Sequence, residues 1–209
     1  LLIVLNMYKS ILLQEDMVNF IVYLIFAFIS MEGEVMNYKM RELINNLTED
    51  IIESYNLNIQ DDIDSIVNLL GGKIEEMSEF TLFDGEIIKT GNKGFVIRVS
   101  HFQSETRRRF TIAHEIGHLF LHMGYIIDEE KWNKIEIGVP LFFRRGSSTI
   151  EYEANEFAAA LLMPRQEYKI VLESNTCGLR VNTAEIAKHF NVSEEAASLR
   201  GKFLGFLEW

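Results

Sequence analysis

Residues 107–122, RRRFTIAHEIGHLFLH, restrict what this chain can fold into more than any other stretch of it. Within them His114, Glu115 and His118 form H-E-x-x-H among apolar Phe110, Ile112, Ala113, Ile116, Leu119, Phe120 and Leu121, with no proline. The pattern predicts an α-helix, and a helix turning once in about 3.6 residues stacks side chains four apart on one face. Two imidazole nitrogens then stand where one metal ion can take both. A zinc ion with two His and a third protein ligand keeps its fourth position for water and lowers that water's pKa from roughly 15.7 to about 7. Glu115 lies beside the metal face and suits a general base that takes the water's proton and delivers it to a leaving amine. The reaction class this suits is metal-assisted hydrolysis of a peptide bond.

The motif needs a third ligand from elsewhere. A metzincin would place Gly at position 121 and His at 124, but Leu121 and Gly124 stand there, which excludes that class. His122 follows His118 by four, yet three ligands in a row on one straight helix cannot converge on one tetrahedral ion. His122 is therefore expected to be a packed or supporting histidine.

Bulk properties narrow the setting. The 209 residues suffice for one substantial domain, and 48% apolar with 24% charged residues is a globular balance. A formal net charge of -11 argues against a broad grip on nucleic-acid phosphates. Cys177 is the sole cysteine, so neither an intrachain disulfide nor a Cys-rich metal site can form, and a reducing cytoplasm is the expected compartment.

Residues 1–30 differ from the rest. Their apolar run 20–29 is too short for a membrane span of about 20 residues unless its flanks are recruited, and the segment lacks the basic start of a secretory signal. We expect an extension arising from upstream translation or poor order, and no membrane anchoring unless residues 18–29 serve as an anchor. The domain itself is expected over 31–209, with a catalytic core at about 74–164 and a helical part at about 165–209.

Within that domain, Leu43, Ile44, Leu47, Ile51 and Ile52 recur at helical spacing. Asp61 or Asp62 can cap a second helix whose apolar side is Ile63, Ile66, Val67, Leu69 and Leu70, ended by Gly71 and Gly72. Residues 86–90 and 95–100 flank Gly91-Asn92-Lys93-Gly94 as a β-hairpin, whose edge could accept an extended substrate or merely cover the helices. Arg107 to Arg109 read as a solvated turn with salt-bridge partners. Residues 124–146 allow a hairpin or a lid.

Ser147 or Ser148 can cap a helix through EYEANEFAAALLM, which Pro164 stops. Ser148 and Glu151 fit a capping box, but Glu151, Ala154, Asn155 and Ala158 share one side, where small alanines permit close helix approach. Glu153 is a competing carboxylate about 200° around that helix, so only one of the two can face a metal. The face shared with Asn155 favours Glu151.

RRRFTIAHEIGHLFLH followed by EYEANEFAAALLMP resembles the ImmA/IrrE-type zinc metallopeptidases, from about Tyr38 onward. The resemblance implies His114, His118 and Glu151 as ligands of one Zn2+, Glu115 as general base, and Asn155 as a residue steadying a ligand imidazole. It also implies a protein substrate, a DNA-binding repressor of a phage, mobile element or stress response. Tyr125, Tyr152, His122 and His101 are candidates for stabilising the oxyanion.

Toward the C-terminus, Thr183 and Ser193 can cap two short helices resembling a helix-turn-helix. Glu194 and Glu195 open the second and Arg200 and Lys202 merely offset them, so packing and substrate choice are expected rather than direct nucleic-acid binding. The fold class expected is α+β: a mainly helical single domain with a small sheet, a zincin-like metallopeptidase core and C-terminal helix-turn-helix-like helices. The rival expectation is a metal-stabilised regulatory binding protein without catalysis.

Overall fold

Apolar spacing and capping side chains set the order of elements in the structure, a computed structural model that describes residues 38–77, 83–141, 148–178 and 180–208. The expectations for residues 1–30, for the end of the connector at 142–146, for Ser147, and for capping by the Ser148 side chain lie outside the described residues.

Helix α1 (Tyr38–Ser54) buries Ile44, Leu47 and Ile51, with Leu43 and Ile52 at the margin of the core. Helix α2 (Ile63–Leu69) starts at Asp62, whose carboxylate accepts from the Asp64 amide. It buries Ile63, Ile66 and Val67, but Leu69 is 57% exposed. Leu69 thus leaves the apolar side assigned to it from spacing, because a helix of two turns has room for only one narrow buried stripe.

Strands β1 (Gly72–Met77), β2 (Gly85–Lys89), β3 (Phe95–Ser100) and β4 (Pro140–Leu141) form a sheet in the order β1-β3-β2-β4. Strands β2 and β3 form the expected hairpin, antiparallel with Ile87 opposite Ile97. Strand β1 was not expected. It runs parallel to β3, with Ile74 opposite Ile97, so Gly72 opens a strand instead of merely ending a helix. Gly72 is needed there because a Cβ would meet the Phe95 ring at 2.3 Å.

Helix α3 (Glu105–Gly117) begins at Ser104, whose hydroxyl accepts from the Arg107 amide, and continues into a π-helical turn, His118–His122. The three arginines therefore belong to its first turns instead of a loop. Each has a partner: Arg107 reaches Asp84, Arg108 holds Asp64 at 2.7 and 2.9 Å, and the buried Arg109 donates to Asp61 O and Ile59 O. The connector contains a short helix, α4 (Glu129–Lys134), capped by Asp128 and anchored by buried Trp132.

Helix α5 (Ser148–Leu162) packs along α3 and also contacts α1. The approach to α3 is close at Gly117, where a Cβ would lie 3.0 Å from Ala154 O and 3.1 Å from Ala154 Cα. A glycine facing an alanine is what lets the two backbones meet.

Helices α6 (Arg165–Ser174), α7 (Thr183–Phe190) and α8 (Glu194–Phe203) complete the described chain, with a two-stranded pair β5 (Thr176–Cys177) and β6 (Arg180–Val181) between α6 and α7. The cap of α7 is Asn182, one residue before the expected Thr183, whose hydroxyl instead meets Glu194 at 2.6 Å. Ser193 caps α8 as expected. Between these helices Asn191 takes a left-handed conformation, φ 50°, which Asn tolerates better than most residues.

Arg200 of α8 points inward. It is 2% exposed and donates to Glu156 at 2.9 Å, Asn45 Oδ1 at 2.6 Å and Met163 O at 3.1 Å. Glu156 also accepts from Arg41 and Asn45, so one buried carboxylate joins α1, α5 and α8. Among the described residues, no helix is long and apolar enough to cross a membrane.

Candidate metal centre

The helix pair α3–α5 brings His114, His118 and Glu151 together, with one donor atom of each lying within 4.8 Å of the others. The two Nε2 atoms are 3.0 Å apart, and Glu151 places Oε2 3.4 Å from His114 Nε2 and Oε1 3.5 Å from His118 Nε2. Zinc bonds of about 2.0–2.1 Å arranged tetrahedrally separate neighbouring ligand atoms by about 3.3 Å. The 3.0 Å between the two Nε2 atoms is close to that spacing, and each Nε2 has a Glu151 oxygen at a similar distance, Oε2 for His114 and Oε1 for His118. The donor set fits as well, because two neutral imidazoles and a carboxylate leave a divalent ion one open position.

Each imidazole is oriented by what its other nitrogen meets. His114 Nδ1 lies 2.9 Å from Asn155 Oδ1, which can only accept, so Nδ1 carries the proton and Nε2 presents its lone pair to the triangle. His118 Nδ1 lies 2.9 Å from His122 Nδ1, and His122 Nε2 lies 3.0 Å from Glu153 Oε2. Burial pushes His122 below the ordinary histidine pKa, although Glu153 opposes the shift. A neutral His122 that donates from Nε2 to Glu153 offers a bare Nδ1, and His118 donates into it.

Glu151 and Glu153 therefore divide as the helix geometry requires. Glu151 faces the two Nε2 atoms, while Glu153 is buried against His122 one turn further along the other helix. Exposure is uneven around the triangle: the side chains of His114 and His118 are 10% and 3% exposed, and that of Glu151 is 28%. Access from solvent is on the Glu151 side.

Glu115 is 4% exposed and lies next to β2. A Cβ on Gly85 would come within 2.6 Å of Thr111 Cγ2 and 3.1 Å of Glu115 Oε1, so a bare glycine leaves space for that carboxylate.

The oxyanion candidates are placed differently from one another. The buried Tyr125 hydroxyl donates to Leu70 O at 2.7 Å and lies 3.1 Å from Lys93 O, and both ring nitrogens of His122 are engaged by His118 and Glu153. Neither group is directed at the metal triangle. His101 meets Glu76 at 3.1 Å on the exposed end of the sheet, and Tyr152 is 58% exposed, one residue beyond Glu151. The supporting couple His122–Glu153 escaped the sequence reading, which had singled out both residues separately but could not see the local rewinding that joins them.

Residues 77–202 match the model of the IrrE N-terminal-like domain, Peptidase_M78. The chain belongs to this family. The match takes in all of the α3–α5 site and most of α8, so the Peptidase_M78 domain here includes the C-terminal helices as well as the H-E-x-x-H helix. A solved structure of a Mycobacterium tuberculosis transcriptional regulator is similar, with a TM-score of 0.51 and 17% identity, over 75% of this chain and 46% of that one. The chain thus spans under half the length of that regulator, and the likeness is one of fold. No curated protein matches the sequence.

Proposed function

We propose that this Peptidase_M78 domain is a zinc-dependent endopeptidase that hydrolyses a peptide bond in a specific intracellular regulatory protein, a DNA-binding repressor being the substrate class. The observation that carries the reading is the His114–His118–Glu151 triangle, with Glu115 buried directly beside the first ligand. His114, His118 and Glu151 would hold the ion. When bound, zinc supplies the Lewis acidity that makes water a nucleophile at neutral pH and polarises a carbonyl.

The remaining roles belong to the chain. Asn155 and His122 keep the Nδ1 protons of His114 and His118 away from the ion, so that both Nε2 lone pairs are available. Glu115 accepts the proton of the attacking water and returns it to the leaving amine. A cytoplasmic location and a protein partner, without direct nucleic-acid contact, belong to the same proposal. The nucleic-acid part is supported by Arg200 being buried on Glu156 and by Arg107 to Arg109 being engaged within the chain.

One observation favours a second reading, a metal-stabilised regulator that binds without cutting: the similar fold occurs in a protein described as a transcriptional regulator. Glu115→Gln separates the two, since it removes the base and spares the ligands. The zinc-loaded protein is incubated with candidate DNA-binding repressors, those encoded near its own gene first, and products are read by mass spectrometry. Cleavage by the unaltered protein and none by Glu115→Gln, with equal zinc content, supports the peptidase. Undiminished cleavage by Glu115→Gln contradicts it.

A further inference from the structure

The helix that carries His114 ends in a π-helical turn, His118–His122, which opens at the second metal-facing histidine. The Met123 amide bonds back to His118 O at 2.9 Å, an i→i+5 bond. π turns are an ordinary way for a helix to end, so the weight of this one lies in the side chain it places beside His118. In an α-helix the residue four ahead sits about 40° past its predecessor. A turn closed by an i→i+5 bond is wider, so the fourth residue falls short of a full turn instead of past it. Here the residue brought back is His122, and what it meets is His118 Nδ1 at 2.9 Å.

The other end of His122 is equally determined. Nε2 lies 3.0 Å from Glu153 Oε2, and the two side chains are only 8% and 7% exposed. A buried carboxylate next to an imidazole fixes the proton on the nitrogen facing it. The second nitrogen becomes an acceptor, and that in turn fixes the proton on His118 Nδ1. Two histidines on one helix thus obtain the same tautomer by different means: an amide oxygen from α5 for His114, and a carboxylate relayed through an imidazole for His118.

We propose that His122 and Glu153 are a positioning couple that commits His118 to presenting Nε2 to the metal ion. The proposal rests on the zinc-site reading above and adds residues that act through a ligand. Loss of such supporting partners lowers metal affinity about 10–100-fold in general.

The test measures zinc affinity by chelator competition in the full chain, together with the His118 tautomer from long-range 1H–15N NMR of the zinc-free protein. Two variants are compared, His122→Ala and His122→Asn. Asn places a carbonyl oxygen close to where Nδ1 was, as Asn155 does for His114. The expected result is a proton on His118 Nδ1 in the unaltered protein, a 10–100-fold affinity loss in His122→Ala, and recovery of most of it in His122→Asn. As a control for space filling, His122→Leu has as many side-chain heavy atoms as Asn but no acceptor; no recovery is expected there, and recovery equal to that of His122→Asn would overturn the couple. Equal affinity in the unaltered protein and His122→Ala, or equal loss in His122→Ala and His122→Asn, overturns the couple while leaving the zinc site standing. Failure of the unaltered protein to bind zinc overturns the site itself and the couple with it.

Discussion

Gly117→Ala tests whether helix contact distance controls the metal centre. The added Cβ would stand 3.0 Å from Ala154 O, 3.1 Å from Ala154 Cα and 3.2 Å from Phe157 Cβ, and the first two are backbone atoms that cannot swing aside. Relief requires α5 to retreat from α3 by a few tenths of an ångström. Overpacking of this kind costs about 1–3 kcal/mol, while replacing a helical glycine by alanine returns about 1 kcal/mol of helix propensity. Net destabilisation is then about 0–2 kcal/mol, a Tm lowered by less than about 8 °C. The metal should feel more than the fold does. Glu151 rides on the displaced helix, and ligand distances tolerate only about 0.2 Å, so zinc affinity is expected to fall about tenfold or more. Thermal unfolding of the zinc-free protein and chelator-competition titration measure the two effects separately. Unchanged zinc affinity in both Gly117→Ala and the bulkier Gly117→Val would refute the argument.

Other perturbations follow from the same packing. Glu156→Ala strips a buried carboxylate from Arg200, Arg41 and Asn45, leaving the Arg200 guanidinium charged in the core; urea unfolding should show a loss of about 3–5 kcal/mol, and a loss below 1 kcal/mol would contradict the network's role. Tyr168→Phe removes the hydroxyl that donates to Ala197 O at 2.6 Å in a buried site, with an expected loss of about 1–3 kcal/mol by the same assay.

How much of this was readable in the sequence depended on the kind of signal. The H-E-x-x-H helix and Glu151 could be inferred because their logic is angular: residues four apart share a face, and two carboxylates two apart cannot. The β2–β3 hairpin was readable because its turn is local. Strand β1 was not, since KIEEM has little alternation and its partner is parallel and two elements away in the chain. The π turn was hidden for a different reason. Leu119, Phe120 and Leu121 are all buried, so the segment has no polar face whose drift would show the change of winding. In the sequence Arg200 only offsets the acids that open its helix, and nothing in the spacing singles out Glu156; the convergence of three helices turns them into a core ion pair.

Zinc K-edge absorption on the metal-loaded protein, alongside Glu151→Ala, addresses the metal centre most directly. The account predicts one ion per chain, bound by two imidazole nitrogens and a carboxylate oxygen at about 2.0–2.2 Å, and a spectrum that changes when Glu151 is removed. A spectrum lacking two imidazoles, or one identical in Glu151→Ala, would contradict it.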